Sequence, residues 1–220
     1  KFSEFNFDNR LSEGIEASGY EDATPVQEQV IPLVLNGKDV IASAQTGTGK
    51  TGAYGIPLVN ALATTNNGNA LILVPTRELA IQVSDLLFQL TRSLKIKIAV
   101  IIGGAAMGPQ IRALKDNPRI IVATPGRLND HLKRKVANLQ RTNVLVLDEA
   151  DRMLDMGFVN DVKKVIAKLP VKRQSLFFSA TMPPAIVELS NTILTNPSKV
   201  EVPRPTSSIN TSEFSVALFK

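Results

Sequence analysis

The sequence predicts an α/β fold, a doubly wound and mainly parallel sheet of about seven strands with helices on both faces. Three observations lead there. Short, continuously apolar runs rich in Val and Ile recur along the chain, as in strands buried on both faces. Helical spacing of apolar residues fills the intervals between them. A glycine- and threonine-rich loop, Ser43 to Gly55, joins one such run to a helical segment.

The runs, in order, are Val40-Ile41-Ala42, Ala70 to Val74, Ile98 to Ile102, Ile120 to Ala123, Val144 to Leu147, Leu176-Phe177-Phe178 and Val200-Glu201-Val202. Between them a helix is predicted over Gly52 to Leu62. Leu79, Val83, Leu86, Leu87 and Leu90 mark another, and Phe158, Val162, Val165, Ile166 and Leu169 a third. Ala63 to Asn69 reads as a flexible surface loop. Pro203-Arg204-Pro205-Thr206-Ser207-Ser208 reads as a linker, and Phe214 to Phe219 as the first strand of a further unit. The expected organisation is one domain over residues 1–202, then a linker and a truncated start of another over 203–220. The chain thus reads as a fragment of a longer protein.

With 220 residues and no cysteine, disulfides and thiolate metal sites are excluded. No apolar run approaches the roughly 18 to 20 residues of a membrane span. The first residues lack the basic-then-apolar form of a signal peptide, so a cytoplasmic protein is expected. The formal charge of +5 tolerates a polyanionic partner. Aromatics are 5% and Trp is absent, which disfavours a base-stacking platform and points to backbone contacts with any nucleic acid.

The stretch Ala44-Gln45-Thr46-Gly47-Thr48-Gly49-Lys50-Thr51 lies between a strand and a helix. Glycines there let backbone N–H groups turn inward around phosphates, and the helix N-terminus adds partial positive charge. Lys50 is placed to reach the β- and γ-phosphates, and Thr51 to offer a hydroxyl to Mg²⁺. The strict pattern opens with Gly, and Ala44 stands there instead. A phosphate loop needs an acidic partner at the end of another strand. The run ending at Leu147 leads into Asp148-Glu149-Ala150-Asp151: Asp148 is placed for the metal and Glu149 to polarise a water. A plain cluster of carboxylates at a helix start is the alternative.

Those four residues spell DEAD. With Gly19-Tyr20 through Thr24-Pro25-Val26-Gln27, Pro75 to Ala80, Gly103-Gly104, Thr124-Pro125-Gly126-Arg127 and Ser179-Ala180-Thr181, the chain resembles the N-terminal, RecA-like phosphate-loop domain of DEAD-box ATP-dependent RNA helicases, with the motifs in the family's order. The run Asp148 to Phe158 looks most like the bacterial RhlE-type branch. The resemblance makes residues 1–32 the adenine-reading region. It implies that Gln27 reads the adenine edge, that Tyr20 and Phe2 lie against the nucleotide, and that Thr24 ties this region to the phosphate loop. Phe5, as a core residue of the first helix, is the alternative to Phe2, and a helix-capping role is the alternative for Gln27. Ala23 and Val26 depart mildly from the family's usual Pro and Ile.

The resemblance further implies that Thr76, Arg77, Gly104, Thr124, Gly126 and Arg127 hold an RNA backbone, with little sequence information. Taken alone, Arg77-Glu78 also reads as a helix-start ion pair and Gly103-Gly104 as a turn. Asp151, Ser179 and Thr181 would couple the ATP and RNA sites; a capped strand-to-helix turn is the plain reading of the latter two. The basic run His131 to Lys135 reads as a solvated helix face, with no role for His131.

The implied protein binds ATP or ADP with Mg²⁺ and RNA. It hydrolyses ATP to unwind short duplexes only when a second RecA-like domain is present, so this chain alone is expected to be a monomer that binds nucleotide and is nearly inactive. A non-catalytic phosphate-loop RNA-binding scaffold and a DNA translocase on the same fold are the competing readings.

Overall fold

The computed structural model describes residues 1–203; the expected linker beyond Pro203 and the strand at Phe214 to Phe219 lie outside the described residues. A 3-10 turn, Phe2–Phe5, ends at Asn6 in the left-handed conformation. Helices α1 (Asn9–Ala17) and α2 (Pro25–Leu35) precede strand β1 (Val40–Ser43). Strand and helix then alternate: α3 (Lys50–Thr64), β2 (Asn69–Leu73), α4 (Arg77–Leu90), β3 (Ile98–Ile101), α5 (Met107–Lys115), β4 (Ile120–Ala123), α6 (Pro125–Lys133) and β5 (Thr142–Leu147). Helices α7 (Ala150–Asp155) and α8 (Val159–Ile166), β6 (Gln174–Ser179), α9 (Pro184–Ile193) and β7 (Ser198–Glu201) complete the described residues.

The seven strands form one sheet in the order β3-β4-β2-β5-β6-β1-β7, every neighbouring pair parallel. Each predicted apolar run is a strand. The continuous runs follow from burial on both faces, because successive side chains of a strand point to opposite layers. Ile72, Val146 and Phe178 join the layer of α2, α3 and α4, with Val30, Ile56 and Leu87. Their neighbours Leu71, Leu145 and Phe177 join the layer of α6, α7, α8 and α9, with Leu128, Met153, Val162 and Ile186. Each fully buried side chain of this size contributes roughly 1.5–3 kcal/mol.

Two local expectations change. The first α-helix begins at Asn9, so Phe5 is no core residue of it; Phe5 sits half-buried in the 3-10 turn, whereas Phe2 is buried. The surface loop expected over Ala63 to Asn69 is shorter, because Ala63 and Thr64 belong to α3 and Asn69 to β2, and it is anchored. Arg119 donates to the carbonyls of Leu62 (2.8 Å), Asn67 (3.3 Å) and Gly68 (3.0 Å), a guanidinium's fixed fork matched to three backbone acceptors. Helix α1 docks against α4 through Gly14, where an added Cβ would lie 2.6 Å from the Leu90 carbonyl oxygen.

Candidate functional site

All seven motifs lie at one end of the sheet or on the helices that begin there, because parallel strands deliver their C-terminal ends to the same edge. The sheet order then divides them. β1, β6 and β5 are neighbours and carry the phosphate loop, Ser179 and Asp148. β2, β4 and β3 are neighbours and carry Thr76, Thr124 and Gly104 just beyond their ends.

The phosphate loop leaves β1 and enters α3 at Lys50. Gly47 (φ 79°) and Gly49 (φ 88°) adopt the left-handed conformation that favours glycine. Thr48 Oγ1 donates to the Gln45 carbonyl at 2.7 Å, and the Ala44 N–H donates to the Ser179 carbonyl at 3.3 Å, which ties the loop to β6. Thr46 is exposed and Thr51 half-buried on the first turn of α3. Gly49 and Gly52 also leave room for another segment. A Cβ at Gly49 would lie 2.7 Å from Gln27 Nε2 and 2.9 Å from Thr24 Oγ1, and one at Gly52 would lie 2.8 Å from Gln27 Nε2 and 3.0 Å from Tyr20 Oη. Gln27 is fully buried. Its Oε1 accepts from the Thr24 N–H at 2.9 Å, and its Nε2 donates to the Gly49 carbonyl at 3.1 Å. The capping alternative is therefore realised, and the same amide reaches the phosphate loop. Phe2 packs edge-on against Tyr20 with ring centroids 5.5 Å apart.

Lys50 and Asp148 meet in the interior at 3.3 Å, with 6% and 1% of their side chains exposed. Neither Lys50 Nζ nor Asp148 Oδ1 has a hydrogen-bond partner among the described residues. Two charges taken out of water with unmet hydrogen bonds are costly, and a polyanion with its counter-cation satisfies both. The residues thus fit a nucleotide–Mg²⁺ complex: Lys50 for phosphate, Thr51 and Asp148 for the metal side. Among the described residues no three His, Cys, Asp or Glu side chains come together as a metal cage. Mg²⁺ retains waters and takes few protein ligands, so it needs none. The other oxygen of Asp148, Oδ2, accepts from Tyr54 Oη at 2.8 Å. Burial first, then the Asp148 charge, hold the Tyr54 phenol well above its ordinary range.

Glu149 stands at the start of α7 with φ 53°, a left-handed conformation costing roughly 1–2 kcal/mol in a non-glycine residue. It is 8% exposed, and its Oε2 faces Arg152 Nη1 at 3.3 Å. Asp151 turns toward β6. Its Oδ2 accepts from the Thr181 N–H (3.0 Å) and Thr181 Oγ1 (2.9 Å), while its own N–H donates to Ser179 Oγ at 3.2 Å. Ser179 Oγ in turn donates to the Thr181 carbonyl at 2.7 Å.

At the other half of the edge, Thr76 Oγ1 caps α4 by accepting from the Leu79 N–H at 3.2 Å. Arg77 makes no ion pair with Glu78. Its guanidinium lies over Gly104 (φ 71°), where a Cβ would come within 2.5 Å of Nη1. Thr124 and Gly126 open α6, and Gly126 faces open space. Arg127 Nη1 donates to the Ala105 carbonyl at 2.8 Å.

His131 corrects an expectation. Lys133, Arg134 and Lys135 are exposed as read, but His131 is fully buried, with Nε2 2.9 Å from Gln110 Oε1. Gln110 Nε2 donates to the Ile102 carbonyl at 2.8 Å, so this amide links α5, α6 and the end of β3. Burial first, then the charge of Arg127, lower the His131 pKa; Arg134 adds to this and Asp130 opposes it. Tyr54, Gln110, His131 and Arg152 are the site neighbours that sequence reasoning did not assign. Helical spacing offered a signal for two of them: Tyr54 follows Lys50 by one turn, and Arg152 follows Glu149 likewise.

Fold and site together define a RecA-like α/β domain built around a phosphate loop. The DEAD/DEAH box helicase family model matches residues 24–189, and the chain belongs to that family. It is 49% identical to the ATP-dependent RNA helicase CshA of Limosilactobacillus reuteri, over 92% of this chain and 41% of that protein. It is 48% identical to the DEAD-box ATP-dependent RNA helicase CshA of Bacillus subtilis strain 168, over 91% of this chain and 41% of that protein. A crystal structure of a DEAD box protein from the hyperthermophile Methanococcus jannaschii superposes with a TM-score of 0.86 at 43% identity, covering 91% of this chain and 55% of that one. The chain thus spans about two fifths of the length of these curated relatives. They are CshA proteins, and they neither establish nor oppose the RhlE-type branch.

Proposed function

We propose that this chain is the ATP-binding N-terminal domain of an ATP-dependent RNA helicase, in which ATP hydrolysis drives local opening of RNA duplexes through a second RecA-like domain. The observation that carries the reading is the buried Lys50–Asp148 pair at the mouth of a phosphate loop, its Nζ and Oδ1 left without hydrogen bonds. Lys50 and the loop N–H groups hold the phosphates. Glu149 orients a water, and Arg152 beside it holds the carboxylate. Mg²⁺, when bound, neutralises phosphate charge. Gln27 reads adenine: its amide keeps a second N–H and a second acceptor lone pair beyond the two bonds it makes.

Thr76, Arg77, Gly104, Thr124, Gly126 and Arg127 take an RNA backbone along β2, β4 and β3, where two helix N-termini point at the same edge. The Asp151–Ser179–Thr181 circuit joins the ends of β5 and β6, and β5 neighbours β2 of the other half; it transmits the nucleotide state. A cytoplasmic setting and a monomeric state belong to the same proposal. Intact Lys50, Asp148 and Glu149 speak against a non-catalytic scaffold.

Fluorescent ADP and ATP with Mg²⁺, competed with GDP, test this on wild type and Gln27→Ala. Adenine-selective binding that the variant loses is the expected result; binding without base preference overturns it. In the longer protein, Glu149→Gln should abolish RNA-stimulated hydrolysis while leaving ATP binding intact.

A further inference from the structure

We propose that Tyr54 is a positioning residue: its phenol fixes the Asp148 carboxylate so that Oδ2 is occupied by the protein and Oδ1 is presented to the metal ion. This rests on the reading of Asp148 as the carboxylate on the Mg²⁺ side. Lys50 and Tyr54 stand one turn apart on α3 and share a face, so one helix addresses both oxygens of a side chain that arrives from the end of β5. Lys50 Nζ faces Oδ1 at 3.3 Å, and Tyr54 Oη donates to Oδ2 at 2.8 Å.

Both partners are sealed from water, Tyr54 fully and Asp148 to 1%. The Tyr54 ring is itself held by Phe178, with centroids 5.2 Å apart at a 54° tilt, so the hydroxyl has little freedom to follow a moving carboxylate. Packing alone requires only an aromatic ring here. The hydroxyl is the group that distinguishes the two oxygens.

Without it, Oδ2 is a buried acceptor with no donor. The carboxylate then turns to share both oxygens with the Lys50 ammonium. That costs the metal its prepared ligand and draws Lys50 back from phosphate. The loss falls on the Mg²⁺-dependent part of nucleotide binding.

Calorimetric titration of this chain with ADP, in Mg²⁺ and in chelator, measures that part as a ratio for wild type, Tyr54→Phe and Asp148→Asn. The Mg²⁺-dependent gain should fall about tenfold in Tyr54→Phe, with Mg²⁺-free affinity changed less than about twofold. An unchanged gain, or an equal loss with and without Mg²⁺, overturns the proposal, the latter being the mark of a packing role alone. Asp148→Asn should abolish the gain. Should Asp148→Asn keep it, the metal reading falls and this proposal with it.

The wild type gives a second readout that needs no variant to fold. The chain has two tyrosines and no Trp, and Tyr20 lies apart from Asp148, beside Gln27 at Gly52. Adding Mg²⁺ to the ADP-saturated protein should shift the tyrosine ultraviolet difference spectrum, and no shift overturns the proposal.

Discussion

Gly49→Ala probes whether the segment around Gln27 and the phosphate loop form one mechanical unit. The perturbation has two parts. A residue with a Cβ at φ 88° pays roughly 1–2 kcal/mol for the left-handed conformation. The new Cβ also lies 2.7 Å from Gln27 Nε2, so the amide must leave and lose its 3.1 Å bond to the Gly49 carbonyl. A buried amide deprived of its acceptor costs about 1–3 kcal/mol more. Gly49→Ala alone should therefore destabilise by about 2–5 kcal/mol. In a Gln27→Ala background the second part disappears, and the backbone cost and the Thr24 contact at 2.9 Å remain. Urea denaturation of the four proteins in the cycle should return a coupling of about 1–3 kcal/mol. Additivity within about 0.5 kcal/mol would refute the reasoning, for it would mean that Gln27 and the loop do not share a load.

Three further outcomes are expected. Thr181→Val removes one of the two Thr181 donors to Asp151 Oδ2 at an exposed position, so thermal stability should drop by less than about 1 kcal/mol while RNA-stimulated hydrolysis in the proposed two-domain helicase falls much further. His131 has a folded pKa below the ordinary 6.5. Its contribution to stability is complete above that value and declines as pH falls from it toward the folded pKa, because the unfolded chain takes up the proton first; denaturation midpoints between pH 7.5 and 5.5 should show this slope, and His131→Gln should flatten it. Gly14→Ala forces α1 away from the Leu90 carbonyl 2.6 Å away, and should cost about 1–3 kcal/mol and speed proteolysis of the segment before α2.

The sequence by itself determined the fold class, because strands buried on both faces must be continuously apolar, and such runs are visible one at a time. It also determined the phosphate loop and the Asp148–Asp151 run, whose chemistry depends on neighbours in sequence. Tertiary structure decided what depends on neighbours in space. The strand order, which separates the phosphate-loop half of the edge from the other half, follows from long-range pairing that no local pattern encodes. His131 shows the same limit: it sits in a run whose Lys133, Arg134 and Lys135 are exposed, yet its own helical position turns it inward to Gln110, a residue on another helix. Tyr54 stood in plain sight beside the phosphate loop. Only the approach of β5 to α3 gave its hydroxyl a carboxylate to hold, because hydrogen bonds between elements are set by packing distance and not by spacing along the chain.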